Sequence, residues 1–118
     1  VTDLDFSVDD MAEVVHGAHC RLNARLGDNA PDGPWITLPG EQQDFIRARV
    51  RLIVRGASPS DIQAHWVRWM TKRKWKLGEA KDPIRKEHPN LRPLNELEPA
   101  QQLKVYLAIA IVTEMAKW

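Results

Sequence analysis

Residues 58–78 read SPSDIQAHWVRWMTKRKWKLG, and this stretch decides the fold. Ser58 offers a side-chain oxygen to the unpaired N–H groups of a helix start. Pro59 suits a first turn, and Asp61 puts an acid at the positive end of the helix. Ile62, Trp66, Trp69 and Met70 then recur at core-like helical spacing. The helix runs into the basic cluster Lys72-Arg73-Lys74, which Trp75 and Gly78 follow. Pro83, Pro89 and Pro93 keep residues 75–95 out of any helix. That segment is expected to be an extended Pro-rich loop or a short β-hairpin.

Three more helices flank this one. From about Asp9, the spacing of Met11, Val14, Val15, Ala18, Leu22 and Leu26 makes one apolar helix face. It stops at Gly27 and leads into a loop carrying Asn29, Pro31, Asp32, Gly33 and Pro34. Residues 1–7 have no period. A second helix is expected from Pro39 or Gly40 to about Gly56, with Phe45, Ile46, Val50, Leu52 and Ile53 inside and Arg47, Arg51 and Arg55 as a separate stripe. The last begins at Glu98-Pro99 and runs to about Lys117. Leu103, Leu107, Ala110 and Ile111 form one apolar face of it, and Val105, Ile109 and Val112 another. The fold class is therefore mainly α: about four helices, with the loop or hairpin between the last two. No internal repeat is evident in the sequence.

Length and composition set the bounds. A chain of 118 residues that is 43% apolar and 28% charged makes one soluble domain, spanning 1–118, with one core. No apolar run approaches the ~20 residues of a membrane span, and no signal-like segment opens the sequence, so a cytoplasmic location is expected. Cys20 has no second cysteine to pair with, which fits a reducing compartment. The net charge of +1 is unevenly laid out. Residues 1–44 carry nine acids and two bases, whereas residues 45–92 carry thirteen bases and four acids. The basic middle either faces an anion or neutralises the acidic start within the fold.

From Gln63 to Tyr106 an ordered set of unusual residues appears. Trp66 and Trp75 precede Gly78, Lys81-Asp82, Lys86, His88-Pro89, Pro93, Glu96-Leu97 and Lys104-Val105-Tyr106. This resembles the ryanodine receptor (RyR) repeat, with its tryptophan helix, Gly-Trp-x-x-Gly, basic-Asp pair and His-Pro. The N-terminal half is similar to bacterial and phage members at His16-Gly17-Ala18-His19, Gly27-Asp28, Pro34-Trp35 and Leu38-Pro39. The resemblance covers about residues 9–113. Three positions depart from it: Gln63 where His is common, Lys74 where the family has Gly, and His19-Cys20 where Asn-Arg is frequent. The resemblance implies a helical fold with a short β element. It also implies a non-enzymatic module of the RyR domain type that binds an adenine nucleotide or an immune signalling nucleotide, as a cellular sensor or a phage sequestering protein. A phage protein of that kind would act in the bacterial host cytoplasm.

A nucleotide needs an aromatic face for its base and Arg or Lys for its phosphates. Trp66, Trp69 and Trp75 lie close in sequence to Lys81, Arg85 and Lys86, so both ingredients occur together. The ligand-binding set is accordingly Gln63, Trp66, Trp69, Trp75, Lys81, Asp82, Arg85, Lys86 and His88, joined by Arg47 and Arg51. Each has a structural alternative: the tryptophans as core, His88 as a ring bonded to the loop, Asp82 as a turn initiator and the arginines as a solvated face. His16 and His19 lack a third ligand for a metal, and no cofactor is expected. No Gly-x-Ser-x-Gly, phosphate-binding loop or HExxH occurs, and Cys20 reads as helix packing, so no catalysis is expected. The partner is a nucleotide-type small molecule, with a homodimer covering the last helix. A protein module docking an acidic partner is the alternative. Nucleic acid ranks last because the total charge is near zero.

Overall fold

Helix boundaries follow from local capping chemistry. The computed structural model describes residues 5–28 and 33–117, so the expectations for residues 1–4 and for Asn29, Pro31 and Asp32 lie outside the described residues. Helix α1 spans Val8–Leu26, α2 Gly40–Val54, α3 Pro59–Lys72 and α4 Pro99–Met115. Two of them open with the same reciprocal box. Asp10 N–H donates to Ser7 Oγ at 3.0 Å while Ser7 N–H donates to the Asp10 carboxylate at 2.9 Å. Ser58 and Asp61 repeat this at 3.1 and 3.0 Å. Each box satisfies two donors at a helix end.

Three helices close with the same turn. Gly27 at φ 76°, Gly56 at φ 93° and Lys74 at φ 71° occupy the left-handed position just past α1, α2 and α3. In each, paired backbone bonds return to the last turn, such as Lys74 N–H to Thr71 C=O and Trp75 N–H to Met70 C=O. Lys74 is the one residue of these three that is not a glycine. The position asks for glycine because of its backbone, and a lysine here bears the left-handed strain.

Between α3 and α4 the chain doubles back. Asp82 and Glu87 exchange two backbone hydrogen bonds of 2.9 and 3.0 Å, closing a turn. The returning strand β2 (Glu87–His88) then pairs in parallel with β1 (Lys76–Leu77). The expected β-hairpin is thus a looped parallel pair. The extra turn at 82–87 reverses the chain once more than a hairpin would. Gly78 permits the close approach, since a Cβ there would lie 2.6 Å from the Glu87 Cβ.

The core is built from Met11, Val15, Val50, Ile53, Ile62, Val105, Ala108 and Val112 across all four helices. Short 3-10 turns at Trp35–Thr37 and Leu94–Glu96, each entered through a proline, add Trp35 with Leu38 and Leu94 with Leu97. The order capped helix, 3-10 turn, helix therefore occurs twice, an echo that the sequence hides. Helix α4 packs most extensively on α1. Its Val105, Ala108 and Val112 side is buried, whereas Leu103 and Tyr106 are about half exposed. Val14 also lies outward, against the expectation from its spacing. No helix among the described residues is long and apolar enough to cross a membrane.

Candidate functional site

The four helices and the β loop line a half-open cavity of about 330 Å³. Helix α1 contributes His16, His19, Cys20 and Asn23, and α2 contributes Gln42, Phe45, Ile46 and Arg49. Helix α3 adds Gln63, Trp66, Trp69 and Met70; Lys81, His88 and Asn90 come from the loop, and Gln101, Lys104 and Val105 from α4. A space of this size suits a small organic molecule.

One wall is aromatic. Phe45 stacks flat on His65 at 4.7 Å and meets Trp69 at 4.8 Å. The Arg73 guanidinium covers Trp69, 3.7 Å from the ring centroid, and is itself paired with Glu41 at 3.1 Å. Trp69 is therefore a wall held on two sides. Trp66 meets the His88 ring at 5.1 Å in a T-shaped contact, with the ring planes 78° apart.

A chain of hydrogen bonds frames the opposite side. Gln63 Nε2 donates to the Asn90 and Arg92 carbonyls at 3.0 and 2.9 Å. Asn90 Nδ2 donates to Gln101, whose own amide donates to Asp28. Lys104 Nζ completes the run with a 2.8 Å ion pair to Asp28. The hydrogen bond from Lys104, then that from Gln101, holds the Asp28 carboxyl below the usual range. Gln63 thus clamps the loop with both amide hydrogens. A neutral imidazole has only one N–H and could not do this.

His19 and His88 are held neutral by their surroundings. His19 is bonded through Nε2 to the Lys104 carbonyl at 2.7 Å, which fixes its proton there and leaves Nδ1 as an acceptor. Burial, then the charge of Arg49, pushes its pKa down to about 4. His88 Nδ1 accepts from Asn90 N–H at 3.1 Å. Burial, then Lys81 and Lys104, lowers its pKa to about 4. His16 is bonded to the Gly33 carbonyl at 2.9 Å, so His16 and His19 spend their Nε2 atoms on separate backbone partners. No group of three metal-ligating side chains gathers among the described residues.

Arg49 is the residue that sequence reasoning missed. It is 8% exposed, and its Nε is buried without a hydrogen-bond partner among the described residues. Burial alone lowers its pKa to about 10, so it stays charged at neutral pH. Its signal was positional: Phe45, Ile46, Arg49, Val50 and Ile53 share one helical stripe.

Of the expected binding residues, Gln63, Trp66, Trp69, Lys81 and His88 line the cavity, and the other six do not. Trp75 lies with its ring centroid 6.3 Å from that of His88, tilted by 60°. Asp82 caps its own turn by accepting from Ile84 and Arg85 N–H, and Arg85 is largely exposed beside it. Lys86 donates to the Arg73 carbonyl at 3.1 Å. Arg47 is engaged by Asp9 at 2.7 Å and Asp44 at 3.0 Å while lying over Trp35, and Arg51 is exposed. The stripe of Arg47, Arg51 and Arg55 faces away because the opposite face of α2 carries the apolar residues. The fold defines a mainly α-helical domain with a cavity of small-molecule size. No protein-family model and no curated protein matches this sequence.

Proposed function

We propose that this chain is a non-enzymatic module that binds a nucleotide-type small molecule in the four-helix cavity, in the manner of an RyR-like domain. The observation that carries the reading is Trp66. It lines a cavity of about 330 Å³ with no ring stacked parallel on it among the described residues, and cationic side chains line the same cavity. A base stacked on a tryptophan gains about 1–3 kcal/mol. The neutral His88 and His19 add hydrogen-bonding atoms without a charge that a purine would have to desolvate. A second copy of the chain covering Leu103 and Tyr106 of α4 is consistent with this reading.

The test is thermal stability against ATP, ADP, AMP, ADP-ribose, its cyclised forms and cyclic mono- and dinucleotides. A ligand at a hundred times its dissociation constant stabilises the fold by about 2.7 kcal/mol. Trp66→Ala should remove that shift while leaving the chain folded. If the variant keeps the shift, Trp66 is not the stacking face.

A second reading, docking of an acidic partner protein, is favoured by Ile84. It is 96% exposed at the tip of the 82–87 turn, next to Arg85 and Lys86. Absence of any shift with the nucleotide panel, together with loss of partner capture in Ile84→Ser, would favour this reading.

A further inference from the structure

Arg49 presents an imbalance inside the cavity. A guanidinium removed from water needs a counter-charge or a full set of acceptors. The charge of Arg49 helps lower the pKa values of His19 of α1 and His65 of α3, and no carboxylate lies within ion-pair distance of it among the described residues. Its nearest aromatic neighbour is Phe45, at 6.0 Å from the ring centroid. Asn23 Oδ1, from the α1 lining of the same cavity, is also buried without a donor among the described residues. Two unpartnered polar groups thus share one cavity.

We propose that the missing partner of Arg49 is an oxyanion on the ligand, either a phosphate monoester or a carboxylate, seated at the α1–α2 side of the cavity. This rests on the ligand-cavity reading and sharpens it. The anionic end goes inward to Arg49, and the aromatic end is left against Trp66 and His88. A planar guanidinium can donate two parallel hydrogen bonds to such a group. Asn23 takes a hydroxyl or amine hydrogen from the same molecule. The exposed Arg85 and Lys86 then have no part in anion binding.

The experiment is titration calorimetry of the full chain with AMP, adenosine-5′-carboxylate and adenosine, on the parent, Arg49→Met and Arg49→Lys. The parent should bind at least one anionic probe about 10- to 100-fold more tightly than adenosine, as expected for hydrogen bonds to a charged group. A gain with AMP alone identifies phosphate, and a gain with the carboxylate alone identifies that group. Arg49→Met should bind all three alike, and Arg49→Lys should keep part of the gain. Ligand-free Arg49→Met should also melt above the parent, because it removes a buried charge without a partner. A lower melting temperature would give Arg49 a structural role and overturn the proposal.

The two readings fail separately. Equal binding of AMP, the carboxylate and adenosine to the parent overturns the oxyanion assignment and leaves the cavity reading standing. If no adenosine compound binds, yet inorganic phosphate stabilises the parent and not Arg49→Met, the assignment stands and the nucleotide reading falls.

Discussion

His19 and Arg49 line the same cavity from adjacent helices, and the arginine's charge adds to burial in keeping the imidazole neutral down to about pH 4. A neutral ring beside an uncompensated cation is an arrangement suited to receiving a negative charge from outside. Introduction of an anion there would offset the arginine and raise the affinity of His19 for a proton.

The histidine environment predicts an acid-side loss of stability. The folded pKa values of His19 and His88, about 4, lie below the ordinary value of 6.5. Between those values the unfolded chain binds more protons than the folded one. Stability is therefore greatest above pH 6.5 and falls as the pH drops towards 4, by up to about 1.4 kcal/mol per pH unit for the buried His19 and by less for the partly solvent-screened His88. Urea melts at pH 6.5 and 5 measure the slope. His19→Gln, which can still donate to the Lys104 carbonyl, should flatten it, and an unchanged slope would contradict the assignment.

Lys74→Gly should stabilise the fold by about 1 kcal/mol. The left-handed backbone at φ 71° costs a lysine that much and a glycine little. Chemical denaturation reads the difference directly. A destabilised variant would mean that the lysine side chain does more than tolerate its backbone.

Gly78→Ala should destabilise by about 1–3 kcal/mol, the usual cost of forcing an atom into a packed contact. The added Cβ would sit 2.6 Å from the Glu87 Cβ. Combining it with Glu87→Gly should recover much of the loss. Failure to recover would place the cost elsewhere in the loop.

Gln63→Leu should strand the Asn90 and Arg92 carbonyls and cost about 1–3 kcal/mol. Hydrogen exchange should report the loss as faster opening of residues 87–92, with α1 and α2 little changed. Uniform loosening of all four helices would argue against a local clamp.

Most of the helical frame was legible because its signals are local. Ser58, Pro59 and Asp61 act on N–H groups within one turn, and Gly27 and Gly56 act through their own φ. The parallel β pair was not legible, since it depends on the backbone bridge between Asp82 and Glu87. The site was half visible. Trp66, Gln63 and His88 stood out as unusual residues, but Lys86 and Arg47 drew attention by charge, and charge alone cannot show that a neighbouring carbonyl or acid already occupies them. Arg49 was overlooked for the converse reason. Its isolation is a property of three helices meeting, and one helix's spacing reveals only that an arginine lies on the apolar stripe.

The most direct test is a ¹H–¹⁵N correlation spectrum of the full chain titrated with AMP. The cavity account predicts shifts at the Trp66 indole N–H, the Arg49 Nε–H and the Asn23 side-chain amide. The exposed Arg85 and Lys86 amides should stay in place. Perturbation of the 82–87 turn with Trp66 and Arg49 unmoved, or no response at millimolar AMP, would contradict it.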